Sequence, residues 1–116
     1  MKVLLRNPDA IDGRDYRSLT VGREYVVLGL ESDCYRLLDD NREPILFDPE
    51  NFDVTDSQEP SFWVSHIGEE GERSAYPVAW DAPGYFEDWH DGVEMVRQSF
   101  TDQLNLLYPQ ISLEQR

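Results

Sequence analysis

Two side chains in the last third of the chain have the spacing of metal ligands. Glu87 and His90 are three residues apart, so a helix through them would place both on one face, as in carboxylate-bridged metal sites. Such sites use a second motif of the same kind, and the only other imidazole is that of His66. A solvated helix start, with acids near the positive end of the helix dipole, is favoured instead. We therefore predict no metal and no other cofactor.

A nucleophile with a base beside it is equally hard to assemble from this sequence. A hydroxyl adjoins an imidazole at Ser65-His66, but adjacent strand residues point to opposite faces and would not bond to each other. The single cysteine, Cys34, has no activating neighbour. Gly68 and Gly71 lie in an acidic turn, which would repel a nucleotide phosphate. We therefore expect that the protein is not an enzyme.

The charge of the chain points to a different class of function. The formal net charge is −14 over 116 residues, and it is unevenly placed. Residues 44–96 hold thirteen acids and one base, whereas residues 1–43 hold nine acids and seven bases. Nucleic-acid backbones and anionic membranes attract clustered lysine and arginine. Direct binding to nucleic acid or to a membrane surface is therefore disfavoured, and a basic protein partner is favoured.

The tryptophans lie in the same acidic stretch. Core filling accounts for most aromatic side chains of a small β domain, but the segment 76–89 has more rings than an irregular backbone is expected to bury. Some rings should then lie at the surface beside carboxylates, which is typical of a protein-binding patch. The residues predicted to contact a partner are Glu69, Glu70, Glu72, Trp80, Asp81, Tyr85, Glu87, Asp88, Trp89 and Asp91.

The elements that must position these side chains are mainly strands. Short runs rich in β-branched and aromatic residues, separated by turn residues, predict strands at 2–6, 24–31, 34–38, 44–47, 52–55, 62–67 and 74–78. After Gly92 the apolar period changes from two to 3.6, which predicts one amphipathic helix that ends near Tyr108, before Pro109. Its apolar stripe is Val93, Val96, Phe100, Leu104 and Leu107.

Three stretches of the chain carry a resemblance to known proteins. They are the runs that begin at Leu19 (Leu-Thr-Val-Gly-Arg-Glu-Tyr-Val-Val-Leu) and at Tyr35 (Tyr-Arg-Leu-Leu-Asp-Asp-Asn-Arg-Glu-Pro-Ile-Leu-Phe), and Phe52-Asp-Val. Together they resemble small bacterial SH3-like barrel proteins. The downstream part, with Trp63-Val and the Pro-Gly-Tyr-Phe-Glu-Asp element, is similar to small acidic immunity proteins of bacterial polymorphic toxin systems. This resemblance implies a non-enzymatic inhibitor of a toxin.

The expected architecture is therefore one α+β domain, mainly β, over residues 1–116. A small SH3-like antiparallel barrel or curled sheet would take residues 1–56. A hairpin and an irregular acidic, aromatic segment would follow at 57–91, and the C-terminal amphipathic helix at 92–108.

The expected function is that of a protein-binding module, an immunity-type inhibitor that binds a basic partner such as a toxin domain through its acidic, aromatic surface. No signal-peptide core precedes Arg6 and Pro8, and no apolar run approaches the length of a membrane helix, so a cytoplasmic location is expected. Three alternatives stay open. They are a regulatory SH3-like peptide binder, a nucleic-acid mimic, and a metal-dependent enzyme centred on Glu87 and His90.

Overall fold

The computed structural model describes the backbone of residues 1–6 and 16–114, and side chains as far as Ile111. The strands are β1 (Lys2–Leu5), β2 (Glu24–Glu31), β3 (Cys34–Leu38), β4 (Pro44–Phe47), β5 (Phe52–Asp56), β6 (Trp63–Ile67) and β7 (Arg73–Pro77). The helices are α1 (Tyr85–His90), α2 (Glu94–Leu107) and α3 (Pro109–Glu114), and two 3-10 turns span Pro49–Asn51 and Val78–Trp80. The predicted α+β class, with more strand than helix, is confirmed. None of the helices described is long and apolar enough to cross a membrane.

All strand pairs in the seven-stranded sheet are antiparallel, and the longest strand, β2, is its centre. The main path runs β4-β3-β2-β1-β5. The first half of β2 pairs with β1, and its second half pairs with β3 and, at Leu30 opposite Ala75, with β7. Strand β6 pairs only with β7 among the strands described, so the sheet is open.

The central strands of the sheet are buried on both faces, which the sequence pattern explains. Successive side chains of a strand point to opposite faces, and β2 carries apolar residues on both: Val27 belongs to one core and Leu28 to the other. The inner core comprises Val3, Leu5, Tyr16, Leu19, Tyr25, Val27, Leu30, Tyr35, Leu37, Phe47, Phe52 and Ala75. The outer core comprises Leu28, Leu38, Tyr76, Trp80, Tyr85, Phe86, Trp89, Phe100, Leu104, Tyr108 and Ile111. Helices therefore cover the face of the sheet that a small barrel alone would leave to solvent.

A glycine in the middle of β2 allows β7 to pack closely. A Cβ added at Gly29 would lie 2.1 Å from Cδ1 of Tyr76 and 2.8 Å from the carbonyl oxygen of Ala75. The register of β2 against β3 also shifts between Val27 and Gly29, which marks a bulge or irregularity. The side chain of Tyr76 therefore occupies the space that any larger residue at position 29 would need.

The amphipathic helix is confirmed within two residues of its predicted ends. Helix α2 buries Phe100 and Leu104 against the sheet and ends before Pro109, as its periodicity and the proline predict. The expectation of an irregular backbone over residues 76–91 is wrong for its last part, because Tyr85–His90 forms α1. Gly84, at φ 74°, leads the chain into that short helix.

Candidate protein-binding surface

The rings of the acidic stretch are buried, which corrects the predicted surface. Trp80, Tyr85 and Trp89 are only 1%, 9% and 8% exposed. The prediction that rings of this segment lie at the surface is therefore wrong for these three, and Tyr76 and Phe86 are buried as well. The physical reason is the second apolar face of the sheet, which has to be covered and which these rings cover.

Trp80 is the centre of that ring cluster. Its ring lies 4.9 Å from that of Phe100 and 5.8 Å from that of Tyr108, with which it is stacked at 12°. The ring of Phe86 packs edge-on against it at 6.2 Å. The Nε1 group of Trp80 is buried and has no hydrogen-bond partner within the described residues. Trp80 therefore stabilises the fold through packing, although its buried N–H without an acceptor costs some free energy.

The predicted acids of the β6–β7 turn remain available at the surface. Glu69 and Glu70 are exposed, whereas Glu72 is half-buried and its Oε2 accepts a hydrogen bond from the Glu70 backbone N–H at 3.0 Å. The turn closes through the Gly68 N–H, which donates to the Glu72 carbonyl at 2.7 Å, and Gly71 takes the positive φ of 84°. The turn thus presents two carboxylates outward and uses the third to hold its own shape.

A second group of predicted acids surrounds helix α1. Glu87, Asp88 and Asp91 are exposed, and the first two lie in the first turn of the helix. Asp81 is half-buried, and its Oδ2 lies 2.7 Å from Nε2 of His66 on β6. The exposed acids are therefore distributed over two places, the β6–β7 turn and the start of the helical layer.

A pocket of about 480 Å³ brings part of the predicted set together. Its lining includes the predicted residues Trp80, Asp81, Tyr85 and Glu87. Four other polar residues, Glu31, Arg36, Ser74 and His90, also line it and were not predicted as site residues. The remaining predicted residues do not line this pocket: Glu69, Glu70 and Glu72 lie at the β6–β7 turn, Asp88 and Trp89 lie in α1, and Asp91 follows it.

Arg36 is the residue that sequence reasoning missed. It is 5% exposed, and its guanidinium donates from Nε to the Tyr76 hydroxyl at 3.0 Å, from Nη1 to the Pro44 carbonyl at 3.1 Å and from Nη2 to Glu31 Oε1 at 3.1 Å. It also lies 4.1 Å from the ring centre of Phe86. The sequence does contain a signal for this network, which is an arginine within an otherwise apolar strand. A guanidinium buried in such a strand needs hydrogen-bond partners on neighbouring elements.

The hydroxyl of Tyr76 completes this network. It donates to Glu31 Oε1 at 3.1 Å while it accepts from Arg36. Burial raises the pKa of the Tyr76 hydroxyl well above its usual range, and the nearby Arg36 opposes that rise without cancelling it. The network therefore keeps a neutral phenol between a cation and a carboxylate, an arrangement that orients side chains and offers no activated nucleophile.

The residues weighed for catalysis or metal binding do not come together in the part of the chain that the structure describes. His90 Nε2 lies 3.2 Å from the Pro44 carbonyl oxygen. Ser65 Oγ accepts from Arg73 Nε at 2.7 Å, while the neighbouring His66 is paired with Asp81. Within residues 1–6 and 16–111, no group of three or more histidine, cysteine or acidic side chains is placed to hold a metal ion.

Comparisons with protein-family models, with curated proteins and with solved structures found no match to this chain.

Proposed function

We propose that this chain is a non-enzymatic protein-binding module, an immunity-type inhibitor that binds a basic partner such as a toxin domain in the cytoplasm. The observation that carries the proposal is the separation of charge from rings. The aromatic residues of the acidic stretch fill a core, whereas Glu69, Glu70, Glu87, Asp88 and Asp91 stay in solvent. Folding and core packing do not need that many carboxylates on one stretch of chain, so a basic partner is their most direct use.

The proposed partner surface is therefore acidic rather than acidic and aromatic. Exposed carboxylates attract a basic protein over long distances and can raise its association rate by about 10–10³. The same charges repel phosphate backbones and anionic lipid headgroups, which favours a protein partner over nucleic acid or membrane. Because Trp80, Tyr85 and Trp89 are buried, the proposed contact with the partner does not include them.

The proposal includes an SH3-like arrangement of the first five strands. The antiparallel order β4-β3-β2-β1-β5 supports it, as does the 3-10 turn Pro49–Asn51 that connects β4 to β5. The inner core, which has members in all five of these strands or their connections, also supports a small curled sheet around a single interior. In this arrangement the hairpin of β6 and β7 extends the sheet beside β2, and the helices are additions to the outer face.

A charge-reversal experiment tests the proposed function. The double variant Glu69→Lys/Glu70→Lys reverses the two exposed acids of the β6–β7 turn. A matched control, Glu43→Lys/Asp102→Lys, makes the same change in net charge at two exposed acids of the nearly balanced segments. Association with the protein encoded by the adjacent gene is measured by surface plasmon resonance at low salt and at about 1 M salt, where the screening length is about 3 Å.

We expect the turn variant to lower the association rate about tenfold or more at low salt, and the control to change it much less. At high salt the difference between the two variants should disappear, because exposed charges are then screened. Equal effects of the two variants would show that net charge alone matters, and the proposed acidic contact would be rejected. A neighbouring protein that is basic and does not bind at all would also reject it.

A further inference from the structure

Three strands of the sheet have only one neighbour among the strands that the structure describes. They are β4, β5 and β6, which pair with β3, β1 and β7 respectively. A strand with a free edge presents unpaired N–H and C=O groups to any extended chain that approaches it, so natural proteins usually protect such edges with proline or charge.

Two of the three edges carry that protection. Strand β4 begins with Pro44, which has no N–H, and the Pro44 carbonyl is already occupied by Arg36 at 3.1 Å and approached by His90 at 3.2 Å. Strand β5 carries the exposed acids Asp53 and Asp56, and Asp53 is also paired with Arg6. The proline and its hydrogen-bonded carbonyl make β4 a poor template for another strand, and the charged side chains do the same for β5.

Strand β6 carries neither proline nor a permanently charged side chain. Its residues are Trp-Val-Ser-His-Ile, a run of high β propensity, and all but Trp63 are exposed. Ile67 is 67% exposed. The strand is held from one side only, through a five-residue register with β7. It is therefore an exposed edge without proline or a permanent charge, paired with β7 alone among the described strands.

The surroundings of β6 define the chemistry of a strand that could pair with it. Glu69 and Glu70 follow the strand after Gly68, and Asp81 lies against His66. Arg73, which lies opposite Ile67 on β7, is held by both oxygens of Glu59, at 2.5 and 2.6 Å, so its charge is compensated by that carboxylate. An incoming strand therefore meets negative charge at the end of β6 and beside His66.

We propose that β6 is the docking edge of this protein, and that an extended, lysine- or arginine-rich segment of the basic partner adds to the sheet beside it. This deepens the proposed function and rests on it: main-chain hydrogen bonds would supply affinity, and the carboxylates would select basic side chains. A second copy of this chain is a poor occupant of the same edge, because two chains of net charge −14 repel each other.

The experiment uses the full chain and a synthetic probe. The probe is a decapeptide of alternating lysine and threonine, and its control is the same peptide with every backbone nitrogen methylated, which keeps the charge and removes the donors from both edges. Peptide binding is followed through the backbone amide signals of the isotope-labelled protein, with cross-strand NOEs between peptide and protein. Sedimentation at increasing concentration of the protein alone is run in parallel.

We expect the unmethylated peptide to shift the amide signals of Trp63–Ile67, to give NOEs across that edge, and to bind about tenfold or more tightly than the methylated peptide. Shifts confined to Pro44–Phe47 or Phe52–Asp56, or no binding of either peptide, would overturn the inference. Equal binding of both peptides would overturn it too, while leaving attraction by the acidic surface, and so the proposed function, intact. A dimer formed through β6 in the protein alone would assign the edge to a second copy instead.

Discussion

The two faces of the sheet are both buried, but they are built in different ways. The inner core is made by residues from the first half of the chain, together with Ala75. The outer core joins strand residues such as Leu28 to rings and apolar residues from the helical layer, as far along the chain as Ile111. The inner face thus needs contacts among strands, whereas the outer face needs the helices to return to the sheet.

The difference explains why rings and charges that are mixed in the sequence are separated in space. In α1, Trp89 points into the outer core while its neighbour Asp88 points into solvent. A short helix over an apolar sheet face sorts its side chains in this way, since only one side of it can contact the sheet. Aromatic content in an acidic stretch is therefore a poor indicator of an aromatic binding surface.

The largest expected effect comes from removing the centre of the outer core. Trp80→Ala should lower the free energy of unfolding by about 3–5 kcal/mol, because it deletes a 1%-exposed ring that packs between other rings. Phe52→Ala makes the equivalent change on the inner face, where the ring is 5% exposed. Urea unfolding followed by far-ultraviolet circular dichroism and by tryptophan fluorescence measures both variants.

Both variants should unfold in a single transition, with the two probes coincident, because β2, β3 and β7 contribute to both cores. In Trp80→Ala, a loss of the helical circular dichroism signal at a lower urea concentration than the loss of the fluorescence signal would contradict this. It would show that the outer layer unfolds as an independent unit. The conservative variant Trp80→Phe, which keeps a ring in place, should lose much less stability.

A smaller loss in the free energy of unfolding is expected from a substitution at Gly29, where β7 packs closely on β2. Gly29→Ala places a methyl group against the Tyr76 ring and the Ala75 carbonyl, at distances that require one of them to move. We expect a loss of about 1–3 kcal/mol in the free energy of unfolding. Ser57→Ala, at an exposed position, serves as the control and should stay within about 0.5 kcal/mol of the parent protein. A Gly29→Ala loss as small as that of the control would contradict the close packing.

The smallest effect is the response of the outer core to alkali. Tyr76 is buried in the outer core and its pKa is raised from the usual value of 10.0, so the folded state holds its proton more tightly than the unfolded chain does. Its contribution to stability is therefore complete below about pH 10 and decreases as the pH rises above that value. At about pH 10.5 the titration of this one residue should lower the free energy of unfolding by at most about 1 kcal/mol.

Tyr76→Phe should remove that part of the pH dependence. The variant loses stability at neutral pH, where its hydrogen bonds to Arg36 and Glu31 are missing, but the difference from the parent protein should narrow between pH 9 and 10.5. The other five tyrosines, the cysteine and the single lysine are present in both proteins, so their titration is common to the two curves and does not enter the difference. Parallel stability curves for the two proteins over that range would contradict the burial of an un-ionised Tyr76.

Much of the strand content could be predicted from local pattern alone. Strands β2, β3 and β4 have the predicted bounds, because turn residues such as Ser32-Asp33 and Asp39–Glu43 separate runs of β-forming residues. Helix α1 was not among the predicted elements, although a helix start was favoured around Glu87 and His90, because six residues are too few to show a helical period and the start at Gly84 carries no side-chain cap. The network of Arg36 was missed because its partners lie up to forty positions away in sequence.

The sequence by itself determined the strands, the amphipathic helix, the segregation of charge into residues 44–96 and the absence of a recognisable catalytic motif, since each of these depends on residue type and local spacing. Only the tertiary structure decided that the rings of the acidic stretch belong to a second core, that Arg36 is buried, and that β6 pairs with β7 alone among the strands it describes. Burial and strand neighbours are set by contacts between residues far apart in the chain, and a local pattern does not contain them.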